Sequence, residues 1–223
     1  MLRRWIEFCV LYLFVPVFLA GMLAFADLKG LKLGRTVIPL LMVLALAMLP
    51  VLRRDEEFDF GDFVRVRTVP RREWLMMFAR FVCGAAALTL ILLYKNPDAL
   101  LVFPKTNLRF WILVMVCYPV FSVLAQGVVY RALYWSRYSR LFPERLRIVV
   151  GAAVFAFAHL AYANVYALAF PFIGGLMFLS GYRRTRSLMF AAIEHALYGD
   201  FLFTIGWGFY FFNKGIMRML ENT

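Results

Sequence analysis

Long apolar stretches separated by short polar ones dominate the chain. Four of them are Trp5–Phe25, Val37–Leu52, Trp74–Tyr94 and Phe110–Val129, and a double-length stretch follows at Ile148–Gly181. A bilayer core of roughly 30 Å requires about 20 consecutive apolar residues in a helix. The pattern therefore predicts an all-α integral membrane protein.

Polar and turn residues divide this pattern into about eight predicted transmembrane helices, which form a single transmembrane domain over residues 1–223. The segments are 5–26, 36–52, 73–95, 109–136, 146–162, 164–182, 186–199 and 200–213. The later boundaries depend on Asn164, on the basic turn 182–186 and on Gly199, because residues 148–212 are apolar almost throughout. Segments seven and eight are short for a full crossing.

Composition and charge agree with a membrane location. Hydrophobic residues make up 64% of the chain and charged residues 17%, whereas soluble domains are nearer half apolar and a quarter charged. With the N-terminus inside, 17 of the 25 Lys and Arg residues fall on the inner side and 6 on the outer side. This asymmetry follows the positive-inside rule. It explains the net charge of +12 without nucleic acid, predicts lipid as the partner, and places both termini in the cytoplasm.

The N-terminal residues also have features of a signal peptide. Arg3 and Arg4 precede an apolar run that ends in Ala24-Phe25-Ala26. The run is longer than a typical signal core, so we interpret it as the first transmembrane helix.

One substantial polar stretch interrupts the apolar pattern, at residues 53–73. It mixes acidic and basic side chains with aromatic ones such as Phe58 and Phe63. Two interpretations remain open, an inner-surface segment that dips its aromatic side chains into the headgroups and a solvated loop.

Polar side chains within apolar stretches are costly and usually mark function. The chain has nine: Glu7, Arg80, Gln126, Arg131, His159, Asn164, Glu194, His195 and Asp200. Glu7 and Arg80 are near the ends of predicted helices, where they can reach the interface, so we expect them to be structural.

The remaining polar residues predict a shared site. His159 and His195 are the only histidines in the chain, both deep in apolar sequence, and Glu194 adjoins one of them. The predicted site comprises His159, His195, Glu194, Gln126, Arg131 and Asp200.

Helical spacing supports this grouping. Gly127 and Arg131 are four residues apart and share a helix face, with Gln126 beside that face. If the helix breaks at Gly199, Asp200 can turn towards His195.

Three short motifs carry a resemblance to a known family. They are Gln126-Gly127-Val128-Val129-Tyr130-Arg131, Phe155-Ala156-Phe157-Ala158-His159 and His195-Ala196-Leu197-Tyr198-Gly199. In this order they resemble the Glu-Glu-x-x-x-Arg, Phe-x-x-x-His and His-x-x-x-Asn motifs of the CAAX protease and bacteriocin-processing family of intramembrane peptidases. The family-like core, which would carry the polar site, covers residues 110–212.

The resemblance implies both a fold and an activity. The fold would be an eight-helix bundle. In the family, a glutamate on helix four and the motif histidines activate a water molecule that attacks a peptide bond. The substrate or partner would be a membrane-associated peptide or protein, and the location a bacterial inner membrane. No cofactor is expected.

The chain departs from the family motifs at three positions. Gln126 and Gly127 replace the two glutamates, and Gly199 replaces the asparagine. Gln cannot accept a proton as a base and Gly has no side chain, so the helix-four base is missing. Arg131 remains without its same-face partner, and a buried unpaired Arg is unfavourable.

Three hypotheses follow. The chain is an intramembrane peptidase in which Glu194 or Asp200 acts as the base with the histidines, or it is a catalytically silent relative that binds a partner. The third covers a transporter-like or lipid-handling role and a zinc-dependent peptidase in which His159, His195 and a carboxylate bind the metal.

Overall fold

A computed structural model describes residues 1–31 and 33–211. This part of the chain is helical and contains no β-strand. Its long helices are α1 (Leu2–Leu28), α2 (Val37–Arg53), α3 (Arg71–Lys95), α4 (Leu108–Leu141), α5 (Glu144–Tyr162), α6 (Tyr166–Thr185) and α7 (Leu188–Ile205). Five of them, α1, α3, α4, α5 and α7, are long and apolar enough to cross a membrane, and α2 is a shorter apolar helix. The predicted all-α membrane bundle is confirmed.

Capping side chains set where the helices of the C-terminal half begin. Asn107, Asn164 and Ser187 each accept a hydrogen bond from the backbone N–H three residues further on, at 3.1, 2.9 and 3.1 Å. These residues precede α4, α6 and α7. Such caps satisfy amide groups that the first helical turn leaves without partners.

Helix α4 lies at the centre of the bundle. Nearly all side chains from Ser122 to Ser139 are buried. The largest apolar cluster joins this helix to α1, α2, α5, α6 and α7. Tyr12 of α1 is fully buried and donates a hydrogen bond to the Val129 carbonyl, with an O···O distance of 2.7 Å. The central position of α4 lets its polar side chains contact several helices.

Much of α4 is wound as a π-helix, in which hydrogen bonds run from residue i to i+5. The π-helical parts are Tyr118–Val123 and Val128–Tyr138, on either side of one α-helical turn, Leu124–Gly127. Residues five apart therefore come close to the same face. This winding brings Gln126 nearer to the face of Arg131 than regular α-helical spacing would.

The predicted boundary at Gly199 is wrong. Residues 188–205 form one helix, so the seventh predicted segment and the first part of the eighth are continuous. Gly199 lies inside this helix, and because it has no side chain it leaves room for a side chain of a neighbouring helix. Helix α7 ends at Gly206, where φ is 125°, and a Cβ atom there would lie 2.3 Å from the Ala99 carbonyl oxygen. The prediction of a cytoplasmic C-terminus depends on segment 200–213 and on residues 212–223. Residues 212–223 are outside the described residues.

The polar stretch after α2 folds onto the bundle. Asp62 is fully buried, and its carboxylate accepts a hydrogen bond from Tyr182 and pairs with Arg65 at 3.1 Å and Arg186 at 3.2 Å. Phe58 is also buried. Hydrogen bonds and ion pairs hold this segment against the end of α6 and the turn that follows it, so the solvated-loop interpretation is wrong.

Candidate functional site

Helices α4, α5, α6 and α7 converge around the imidazole of His195. Its Nδ1 atom lies 3.3 Å from an Nη atom of Arg131, and its Nε2 atom lies 3.1 Å from the hydroxyl of Tyr118. The ring stacks on Phe178 at 4.8 Å between centroids and meets the edge of Phe155 at 5.5 Å. Both ring nitrogens and the ring faces of His195 are therefore in contact with protein groups.

These contacts define the tautomer of His195. A guanidinium group can only donate hydrogen bonds, so Nδ1 of His195 accepts from Arg131. In a neutral imidazole the other nitrogen then carries the hydrogen, and Nε2–H donates to the Tyr118 oxygen. No lone pair of this ring is left to accept a proton from water.

His159 has the opposite arrangement. It lies at the end of the α-helical part of α5, and Nδ1–H donates to the Phe155 carbonyl at 2.9 Å. In the neutral ring, Nε2 therefore keeps its lone pair. The ring is partly exposed and lies 5.1 Å from the Phe155 ring and 6.0 Å from the Tyr162 ring. Phe155 thus separates the two histidines and contacts both.

Arg131 is buried between aromatic rings. Arg131 is 2% exposed. Its guanidinium carbon lies 4.4 Å from the centroid of the Phe155 ring and 5.3 Å from the centroid of the Phe178 ring. Cations over ring faces are attracted by the ring quadrupole. One Nη atom donates to His195, and the other has no hydrogen-bond partner among the described residues.

Glu194 does not face the histidines. It is fully buried, and its carboxylate pairs with Arg80 of α3, with the closest N···O distance at 2.8 Å. Its second oxygen has no hydrogen-bond partner within the described chain. Adjacent helical residues point in different directions, so Glu194 reaches α3 while His195 reaches α4. Arg80, which was expected to be structural, forms its ion pair with this carboxylate across the helix interface.

Glu7 has the structural role expected for it. Its carboxylate pairs with Arg3 at 2.9 Å and with Arg137 of α4 at 2.7 Å. The pair with Arg137 joins the start of α1 to the end of α4.

Among the described residues, neither Gln126 nor Asp200 is hydrogen-bonded to a histidine. The amide nitrogen of Gln126 donates to the Ser122 hydroxyl at 2.7 Å, and its buried oxygen has no hydrogen-bond partner in the described parts of the chain. One buried carboxylate oxygen of Asp200 likewise lacks a partner there. Because α7 continues through Gly199, Asp200 does not turn towards His195.

Tyr118 occupies the space that a side chain at position 199 would need. A Cβ atom on Gly199 would lie 2.3 Å from a ring carbon of Tyr118 and 2.4 Å from its hydroxyl oxygen. The same hydroxyl contacts Nε2 of His195. The glycine in place of the motif asparagine is therefore matched by a tyrosine that reaches in from α4.

The site does not have the ligand set that the zinc hypothesis requires. Over residues 1–31 and 33–211, no group of three or more His, Cys, Asp or Glu side chains could hold a metal ion. Glu194 is directed to Arg80, and Nδ1 of His195 to Arg131. The zinc hypothesis gains no support from this geometry.

Sequence reasoning missed Tyr118 as a member of the site and missed the pairing of Arg80 with Glu194. Opposite charges in two apolar stretches, Arg80 and Glu194, were a usable signal, because a buried ion needs a partner. Nothing in the sequence pointed to Tyr118, since tyrosine is common in apolar helices. Its role follows from the glycine at position 199, which lies in another helix.

The fold and the site together define a class of protein. It is a multi-pass α-helical membrane protein that carries one histidine on each of two helices, around a central polar helix. Residues 108–199 match the family model described as type II CAAX prenyl endopeptidase Rce1-like. This confirms the resemblance of residues 108–199 to the CAAX protease and bacteriocin-processing family, over less than half of the chain. No curated protein and no solved structure matches the chain.

Proposed function

We propose that this protein is a catalytically silent relative of the CAAX proteases, which binds a membrane-associated peptide or protein segment without cleaving it. The observation that carries the proposal is the hydrogen bonding of His195. Arg131 and Tyr118 occupy both of its ring nitrogens. Among the described residues, no carboxylate is hydrogen-bonded to either histidine.

Peptide hydrolysis needs a base that can take a proton from water. His195 has no free lone pair for this step. Glu194 is held by Arg80, and the amide of Gln126 cannot be protonated at ordinary pH. Glu194 and His195 are therefore committed to other contacts, and Asp200 is hydrogen-bonded to neither histidine among the described residues.

The same site has features suited to binding. Buried polar atoms without partners are unfavourable, and Gln126 and Arg131 each have one. A peptide backbone offers both an N–H donor and a carbonyl acceptor, and such groups seek partners in an apolar environment. Aromatic rings of Phe155 and Phe178 form the adjoining walls. We propose that the family-like core, residues 110–212, forms this binding site.

The experiment combines cleavage and binding in one preparation. Protein in nanodiscs is incubated with a set of membrane-associated peptides, and mass spectrometry measures cleavage while photo-crosslinking measures binding. We expect binding without cleavage, and binding that persists in His159→Ala. Arg3→Ala serves as the control, since Arg3 lies on the exposed surface. Cleavage that is lost in His159→Ala but kept in Arg3→Ala would contradict the proposal.

One observation favours a second candidate, a peptidase that uses His159 as its base. The lone pair on Nε2 of His159 is not used by the Phe155 carbonyl, which contacts Nδ1. This candidate predicts cleavage that depends on His159 and survives Glu194→Gln. The earlier hypothesis with Glu194 as base predicts the loss of cleavage in both variants.

We further propose a bacterial inner membrane with the N-terminus in the cytoplasm. The excess of Lys and Arg on that side supports this orientation. Impermeant thiol reagents test it on a variant without the three native cysteines. Cysteines introduced at Arg4 and at Asp98 should react from the cytoplasmic and outer sides, respectively. The reverse labelling would contradict the orientation.

A further inference from the structure

A short segment after α7 folds back against the side of the site on which His159 is partly exposed. This cover segment, Trp207–Phe211, is a helix of 3₁₀ type and lies outside the residues that match the family model. The ring of Phe211 lies 6.2 Å from the His159 ring and 5.9 Å from the Tyr162 ring, measured between centroids. The cover segment therefore narrows the approach to the histidine whose Nε2 atom keeps a free lone pair.

The side chain of Asn164 holds the cover segment in this position. Its Nδ2 atom donates to the carbonyl of Tyr210 at 2.8 Å and to that of Tyr162 at 3.2 Å. Its Oδ1 atom accepts from the backbone N–H of Ala167 at 2.9 Å, which caps α6. One amide group thus connects the cover segment, the end of α5 that carries His159, and the first turn of α6.

The first residue of the cover segment is anchored, and a glycine follows it. The indole N–H of Trp207 donates to the Leu88 carbonyl at 3.1 Å. A Cβ atom on Gly208 would lie 2.4 Å from a ring carbon of Phe203, so a side chain does not fit at this position. The backbone torsions of glycine are the least restricted of all residues. Residues 209–211 can therefore turn about Gly208 while Trp207 stays in place.

A partly open cavity of about 330 Å³ adjoins the cover segment. Phe209 and Tyr210 form part of its wall, and Leu92, Asn96 and Val102 form much of the rest. Protein interiors are otherwise close-packed, so a space of this size lets aromatic side chains move without displacing a helix. The cover segment therefore has room for a second position, further from the site.

We propose that residues 209–211 form a gate over His159, and that Asn164 is the positioning residue that keeps the gate closed. Opening turns these residues about Gly208 towards the cavity and breaks the hydrogen bond between Asn164 and the Tyr210 carbonyl. The nature of the ligand that enters rests on the proposed function. The gate itself rests on the contacts of Asn164 and of the cover segment.

Carbethoxylation by diethyl pyrocarbonate measures access to His159. The reagent acts on a ring nitrogen with a free lone pair, which His159 has and His195 lacks. Protein in nanodiscs is treated for increasing times, and mass spectrometry of the two histidine-containing peptides gives a rate for each. Opening of the gate accelerates the reaction of His159 alone, whereas unfolding accelerates both.

The variant Asn164→Ser separates the gate contact from the helix cap. Serine keeps an oxygen that can accept from the Ala167 N–H, but it has no amide group to reach the Tyr210 carbonyl. We expect the His159 rate to rise about tenfold, which corresponds to the loss of one hydrogen bond, and the His195 rate to stay the same.

Ser187→Ala is the control for this variant, because it removes a cap from the other end of α7. It should leave the His159 rate unchanged. An unchanged His159 rate in Asn164→Ser, or an equal acceleration of both histidines, contradicts the proposal.

A reversible crosslink tests the gate by holding it closed. The rings of Tyr166 and Tyr210 are 4.6 Å apart between centroids. Cysteines at these two positions, in a variant without the three native cysteines, are joined by a short bifunctional methanethiosulfonate. The linked protein should react at His159 more slowly than the unlinked protein, and a reductant should restore the rate. A His159 rate that linking does not change overturns the proposal.

The crosslinked protein also separates the gate from the proposed function. If both proposals are right, linking lowers the photo-crosslinking of membrane-associated peptides. Gated labelling of His159 without peptide binding in any variant supports the gate and overturns the proposed function. Peptide binding and a labelling rate that linking leaves unchanged overturn the gate and leave the proposed function standing.

Discussion

The carboxylate of Glu194 pairs with Arg80 at 2.8 Å, although the neighbouring residue, His195, is part of the polar site. The pair joins α7, which carries the last family motif, to α3, which precedes the family match. It is accompanied by contacts of Trp74 with Phe190 and of Phe81 with Tyr198, at 4.9 and 5.3 Å between ring centroids. The ion pair of Glu194 therefore holds α7 against α3.

Removing one partner of this pair should destabilise the fold. Arg80→Met leaves the fully buried Glu194 carboxylate uncompensated, and we expect a loss of about 3–5 kcal/mol. The double variant Arg80→Met/Glu194→Met should recover most of it. Thermal unfolding in detergent measures both. Arg3→Met, at an exposed pair, should change stability by less than about 1 kcal/mol. A double variant as unstable as the single one would argue against this role.

The two histidines should be present as opposite neutral tautomers. Nδ1 of His159 donates to the Phe155 carbonyl, whereas Nδ1 of His195 accepts from Arg131. ¹⁵N NMR of histidine-labelled protein distinguishes the two forms, and only two ring systems contribute signals. Tyr118→Phe removes the acceptor for Nε2–H of His195, so the His195 signals should shift and those of His159 should stay. An Nδ1–H form of His195 would disprove the proposed hydrogen bonding.

Restoring a side chain at position 199 should be unfavourable unless Tyr118 is shortened. In Gly199→Asn the new side chain overlaps the tyrosine ring, and overpacking of this kind costs about 1–3 kcal/mol. Tyr118→Ala/Gly199→Asn should regain stability relative to Gly199→Asn. Melting temperatures of the two single variants and the double variant complete the cycle. Additive losses in the double variant would show that the two positions are independent.

Asp62 should hold the segment after α2 against the turn between α6 and α7. In Asp62→Ala, Arg65 and Arg186 lose their buried partner. We expect faster amide hydrogen exchange over residues 57–69 and 183–187, measured by mass spectrometry. Asp59→Ala is the control, because Asp59 caps a local turn through the Gly61 amide and pairs with Arg65 within the same segment, whereas only Asp62 also forms an ion pair with Arg186 among the described residues. Equal effects of the two variants would contradict the role of Asp62.

Hydrophobic periodicity was sufficient to predict the membrane bundle, because helix length in a bilayer is set by its thickness. It could not show that helix α7 continues through Gly199. Glycine is a poor helix former in general, but here it admits the ring of Tyr118 from α4. That contact joins residues far apart in sequence, so local patterns do not contain it.

Part of the candidate site was predictable and part was not. The motifs indicated His159, His195 and Arg131, which the structure brings together around Phe155. Adjacency in sequence suggested that Glu194 would join them. Neighbouring residues on a helix point about 100° apart, and the competing partner, Arg80, lies in a helix outside the motifs. Their catalytic or binding roles stay predictions.

The fit of Tyr118 against Gly199 also restricts the mutational paths open to this protein. A side chain at position 199 collides with the tyrosine, while a smaller residue at position 118 leaves Nε2 of His195 without its partner. We therefore expect either single change to be destabilising, and the double change to recover stability. By this argument the two positions form an epistatic barrier, because a change towards the asparagine of the family motif passes through a less stable single variant.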